Sequence, residues 1–167
     1  PSAVAAASSP TGPAFEGAEI SSGQRAAPGA IERVRIAPLT LEAHVKVIGS
    51  ELWSNETGFE DATAATGVAG LCGSGLIEAV GEMFLAGIIT ADGVIRAELA
   101  EASPFVVREG RTASYVVWKG VRELRITQAD VRAIQLAKSA LYAGCRLLMD
   151  RMGVARVDRI KFAGAFG

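Results

Sequence analysis

Ile126-Thr127-Gln128-Ala129-Asp130-Val131-Arg132-Ala133-Ile134-Gln135-Leu136-Ala137-Lys138 opens the longest periodic stretch of the chain. Thr127 stands where a helix cap belongs, and Asp130 three residues on completes a start like a capping box. Val131, Ile134, Leu141, Cys145, Leu148 and Met152 recur at three- and four-residue spacing, which predicts an apolar helix stripe. Arg132, Gln135, Ser139, Arg146 and Asp150 form the solvated side. Ala133, Ala137, Ala140 and Gly144 form a second, small-residue face that lets another backbone come close, so the helix is expected to be buried on two sides. Gly153 stops it. Val154 to Val157 then lead into a buried strand at 159–163, followed by Gly164-Ala165-Phe166-Gly167. Helix, short loop, strand and glycine turn in that order predict an α/β layer.

Upstream, Phe105-Val106-Val107, Tyr115-Val116-Val117-Trp118 and Leu124-Arg125-Ile126 read as strands, with turns at Glu109-Gly110 and Lys119-Gly120. That is a small antiparallel meander. Before it, Leu76, Ile77, Val80, Met83, Phe84, Gly87 and Ile88 mark a helix with Ser74 as its expected cap, and Asp92-Gly93 marks a stop. Residues 50–70 carry no clear period, and their glycines predict a surface excursion. Val34-Arg35-Ile36 and His44-Val45-Lys46-Val47-Ile48 alternate around Pro38-Leu39-Thr40 and predict a hairpin. Ala14 to Ile20 predicts one or two helical turns, and the apolar residues 3–8 predict a strand end.

The chain has 167 residues, 50% hydrophobic and 21% charged, with a formal net charge of -1. That suits one domain with its own core. The balance of charge gives no pull toward nucleic acid or an anionic membrane. No apolar run approaches the roughly 20 residues of a membrane span, and no secretory signal is visible. Cys72 and Cys145 stand far apart and, with the single His44, cannot supply the roughly four ligands of a structural zinc or iron–sulfur site. Both read as small core hydrophobes, and so few cysteines fit a reducing, cytoplasmic setting. His44 reads as structural or surface. The chain opens without methionine and ends on a strand running into a turn, so it is expected to be a fragment: one lobe spanning 1–167.

Three glycine-bearing stretches are candidates for chemistry. In Thr11-Gly12-Pro13-Ala14-Phe15-Glu16-Gly17 the glycines would let amides approach an anion, and Glu16 would orient water or a cation. The plainer reading is that they turn the chain, and residue types alone favour it. Gly70-Leu71-Cys72-Gly73-Ser74-Gly75 lacks the lysine and spacing of a P-loop, so close packing of a helix start is the leading reading. The 162–167 turn has the best position, because ligands of open α/β sheets lie beyond the carboxyl ends of strands. Lys138 sits at the edge of the apolar stripe. Most lysines so placed extend to water; the sharper reading has Lys138 and Gln135 facing a ligand. No catalytic pair, HExxH or GxSxG is readable.

Read as strings, five blocks resemble the reductive activators of corrinoid proteins: Ser9 to Gly23, Arg25 to Glu32, Cys72 to Val80, Ile126 to Lys138 and Phe162 to Gly167. The resemblance implies an RNase H-like lobe of an ASKHA fold (actin, sugar kinase, heat-shock chaperone), α/β with a mixed sheet and an antiparallel β insertion. It implies ATP with magnesium as ligand, a 2Fe-2S cluster only in an N-terminal ferredoxin domain outside this sequence, a corrinoid protein of a methyltransferase system as partner, and a homodimer. The full-length activator would use ATP to drive electron delivery to Co(II), restoring methyl-accepting Co(I). By the same resemblance Gly164, Ala165 and Gly167 match the adenosine-side turn. Gly12, Glu16 and Gly17 follow the phosphate hairpin, and Gln135 and Lys138 lie on the helix before the adenosine strand. Ser22-Gly23-Gln24 departs from the cysteine and methionine the family pattern has there. Without cluster cysteines and phosphate hairpins, the chain alone is expected to transfer no electrons and to hydrolyse ATP weakly or not at all. The competing readings are a sugar- or acetate-kinase-like phosphotransferase lobe and a non-catalytic docking or dimerisation module, for which an exposed 50–70 stretch would serve.

Overall fold

The computed structural model describes residues 4–161, 163 and 164. A hairpin of β1 (Ala30–Ile36) and β2 (Ala43–Val47) is antiparallel, with a bulge between Ile31 and Arg33. The short β3 (Gly70–Leu71) joins β1 in parallel, giving a mixed sheet in the order β2-β1-β3. The alternation that predicted the hairpin is visible in β2, where Ala43, Val45 and Val47 are buried and His44 and Lys46 are half-buried. Helix α1 (Phe59–Thr63) lies in the loop after β2, and α2 (Gly73–Leu85) packs across β1.

The predicted meander is present as β4 (Val106–Glu109), β5 (Thr112–Lys119) and β6 (Glu123–Thr127), a separate antiparallel sheet with a bulge between Val116 and Trp118. β6 runs directly into α3 (Gln128–Met152). The two sheets share one core, in which Ile31, Val34, Val45, Leu71, Leu76, Met83, Tyr115, Leu124, Ile126 and Val131 are all buried. Phe59, one of two buried residues of α1, meets Trp118 of β5 edge to face at 5.9 Å.

Glu78 and Glu82, one turn apart on α2, fasten the helix to the sheet through the backbone. Glu78 Oε2 accepts from the Val34 amide at 2.7 Å and Glu82 Oε2 from the Ile36 amide at 3.0 Å. Arg33 and Arg35 pair with Glu78 from the solvent side.

Four expectations are corrected. Ser74 is not the α2 cap: Cys72 holds that place, with no side-chain cap bond, because the turn is set instead by the Cys72 amide on the Ile31 carbonyl at 3.0 Å. Residues 4–8 and 159–161 form no strand and are exposed, Ile160 at 67%. An apolar segment becomes a strand only with a ladder partner, and among the described residues neither segment has one. Phe162 lies outside the described residues. α3 is capped as predicted, by Thr127 and Asp130 at its start and left-handed Gly153 at its end, but only its first half is buried. Val131, Ile134 and Ala137 enter the core, whereas Leu141, Tyr142, Leu147 and Met152 are exposed, because β6 and the core end beneath the first turns. Cys145 is exposed with them and is no core residue; Cys72 is buried as expected.

Candidate functional site

Pro13 leads into a 3-10 helix, Ala14–Glu16, which Gly17 ends in the left-handed conformation at φ 77°. The chain then folds back so tightly that a Cβ on Gly17 would overlap the Gln24 carbonyl, and one on Gly23 would overlap Gly17 itself. This closed loop, 17–24, touches three parts of the fold. Ser22 O accepts from the Leu71 amide and Gln24 N donates to Leu71 O, both at 2.8 Å. Ser22 Oγ accepts from the Arg125 amide at 2.9 Å. Ser21 N donates to Asp130 Oδ1 at 2.9 Å. Ser22 thus places a hydroxyl where the half-buried Arg125 amide finds an acceptor.

The start of α2 lies beside this loop. Cys72 Sγ donates to Ile31 O at 3.3 Å, and a Cβ on Gly75 would overlap that same carbonyl. Gly75 is therefore there for close packing, as the plainer reading held. The first turn of α2 has no side-chain cap, and its residues Cys72, Gly73 and Ser74 line a cleft of ≈ 370 Å³ together with Phe15, Glu16, Arg25 and Glu32. A helix start and the Arg25 guanidinium favour an anion, while Glu16 and Glu32 favour a cation.

Gln135 and Lys138 line a different cleft, of ≈ 330 Å³, between α2 and α3, with Val80, Ile89, Val131 and Ile134 as its apolar wall. Gln135 is already engaged: Nε2 donates to Asp92 O at 3.2 Å and Oε1 accepts from Arg132 at 2.7 Å, so it holds the 90–93 turn. Lys138 is exposed at the rim. The structure thus keeps Glu16 and the Gln135–Lys138 pair in separate clefts. Gly12 is an exposed turn residue at φ 66°, and Gly17 closes the loop. Gly164 is exposed past the end of α3, and Ala165 and Gly167 lie outside the described residues.

Sequence reasoning did not single out Arg25 and Glu32. Both stand in the Arg25 to Glu32 stretch, which carries no local motif beyond its family resemblance. It read Asp130 as a helix cap alone, because its bond to Ser21 spans 109 residues and leaves no local trace.

Residues 2–167 match the family described as the C-terminal domain of RACo, the ASKHA domain. The chain belongs to this family. Phe15-Glu16, Arg25-Ala26 and Cys72 to Ser74, far apart in sequence, meet at the cleft beside the start of α2. The ASKHA chain is 35% identical over 173 residues to the corrinoid activation enzyme RamQ of Eubacterium limosum, covering 96% of this chain and 26% of RamQ. A solved structure, a reductive activator for corrinoid, iron-sulfur protein, superposes with a TM-score of 0.73 at 32% identity, over 93% of this chain and 23% of that one. The chain therefore spans about a quarter of the length of these relatives. Among the described residues no helix is long and apolar enough to cross a membrane, and no group of three or more His, Cys, Asp or Glu could hold a metal ion. An iron–sulfur cluster does not fit here, since one thiol is buried at the sheet and the other exposed on α3.

Proposed function

We propose that this chain serves as part of the nucleotide-binding domain of a reductive activator that restores Co(I) in a corrinoid protein of a methyltransferase system. The observation that carries the reading is the convergence of these three stretches on one cleft with a helix start, a guanidinium and two carboxylates. That donor set suits a metal-bearing polyphosphate. Arg25 and the amides of Gly73 and Ser74 would take the phosphate oxygens, and Glu16 and Glu32 would face the magnesium that ATP brings. Gln135, Lys138, Gly164, Ala165 and Gly167 are proposed for the adenosine side, and Gly12 and Gly17 for shaping the phosphate side. The electron for Co(II) comes from a 2Fe-2S cluster held elsewhere in the activator. A cytoplasmic setting and a homodimer belong to the same proposal.

The test is calorimetric titration of Mg-ATP into the chain and into the longer activator, with Arg25→Ala and Lys138→Ala variants of each. Arg25→Ala is expected to weaken binding about tenfold in both. Binding unaffected by Arg25→Ala would remove the cleft from the reading. Capture of a corrinoid protein by the activator, with and without ATP, then separates nucleotide-gated activation from plain docking.

A further inference from the structure

Asp130 is 2% exposed and accepts four hydrogen bonds. Oδ2 takes the Thr127 amide at 2.7 Å and the Thr127 hydroxyl at 2.8 Å, which is the helix cap. A cap needs no more than that one oxygen. Oδ1 is given wholly to Ser21, accepting from its amide at 2.9 Å and its hydroxyl at 3.2 Å. We infer that Asp130 is a positioning residue for the cleft on α2, clasping the closed 17–24 loop so that Glu16 and the Cys72–Ser74 helix start are held at fixed separation. This deepens the nucleotide reading and rests on it for the identity of the ligand.

The physical path is short. Ser21 is followed by Ser22, whose carbonyl takes the Leu71 amide, and Leu71 precedes the α2 cap Cys72. In the other direction the loop has no slack, because Gly17 and Gly23 touch backbone to backbone, so a shift at Ser21 moves Gly17 and the turn bearing Glu16. The carboxylate is chemically particular. Each oxygen faces one backbone N–H, from Ser21 or from Thr127, and neither donor can reverse. An asparagine in either orientation sets its NH2 against one of them.

The two cysteines give a test that works without any ligand. Cys72 is buried beside the cleft and Cys145 is exposed on α3, so a thiol reagent reads both at once. Asp130→Asn is expected to speed labelling of Cys72 by about tenfold or more through local opening, to leave Cys145 unchanged, and to weaken Mg-ATP binding by about tenfold. Thr127→Ala removes the cap hydroxyl and keeps the Ser21 amide on Oδ1, and is expected to change Cys72 labelling by no more than about twofold. Should Asp130→Asn not fold, Ser21→Ala carries the same comparison with a smaller rise. Equal acceleration of Cys72 in Asp130→Asn and Thr127→Ala, tracking lost stability alone, overturns the inference, as does unchanged ATP affinity in a variant whose Cys72 has opened. If the parent chain and the longer activator bind no ATP while Cys72 responds as expected, the nucleotide reading fails and the clasp stands.

Discussion

The buried phenol of Tyr115 donates a hydrogen bond to the Leu41 carbonyl at 2.8 Å, tying the meander to the loop of the first hairpin. Leu41 sits at φ 60°, in the left-handed region, which costs a leucine about 1–2 kcal/mol. The bond from Tyr115 lands on that residue, so the loop geometry and the sheet-to-sheet contact depend on each other. Tyr115→Phe keeps the ring and strands a buried carbonyl. The expected loss is about 1–3 kcal/mol, read as a lower denaturation midpoint with unchanged slope.

The same phenol gives an alkaline signature. Burial, with smaller contributions from Glu42 and Glu82, holds its pKa well above the ordinary tyrosine value. A raised folded-state pKa means the contribution is complete below about pH 10 and is lost as pH climbs beyond it. Stability is expected to fall above about pH 10, and Tyr115→Phe is expected to remove that part of the decline in denaturation curves taken from pH 8 to 11.

Glu78 gives the acid counterpart. Partial burial pushes its pKa up, but bonds from Arg33, Arg35 and the Val34 amide outweigh this and hold it below the usual carboxylate range. A depressed pKa contributes stability above about pH 4.3 that is lost as pH falls further. Glu78→Gln is expected to cost about 1–3 kcal/mol at pH 7 and to flatten the acid limb of the stability profile.

Gly75→Ala tests the seat of α2. The new methyl would overlap the Ile31 carbonyl, which is backbone and cannot swing aside. A loss of about 1–3 kcal/mol or more is expected, with a changed near-ultraviolet spectrum and unchanged helix content. Gly81→Ala, on the same helix with open space around it, is expected to be neutral or slightly stabilising.

Much of this fold is legible because it is local. The Thr127–Asp130 cap, the Gly153 stop, the hairpin around 37–42 and the three meander strands each declare themselves within a few residues. What escaped depends on distant partners. β3 is two residues long and exists because Ala30 and Ile31 lie along one side of it and the 22–24 loop along the other. The apolar runs at 4–8 and 159–161 look like strands yet have no neighbour to pair with, and Leu141 to Met152 keeps a perfect stripe over a region with no core beneath. The candidate site divides in the same way. Glu16 was visible in a glycine-rich string, but Arg25 and Glu32 join it only through the folding of β1 and α2, and the separation of Gln135 and Lys138 into another cleft has no sequence correlate.

The two carboxylates that α2 lays along β1 have a further effect. Beyond Ile31, β3 has ended, and the Val34 and Ile36 amides would otherwise present a vacant rung on which a strand from a neighbouring molecule could settle. Glu78 and Glu82 fill those positions with side chains that bear charge and that no incoming strand can displace without leaving a carboxylate stripped of its donors. The sheet is closed to strand addition at those amides by a helix.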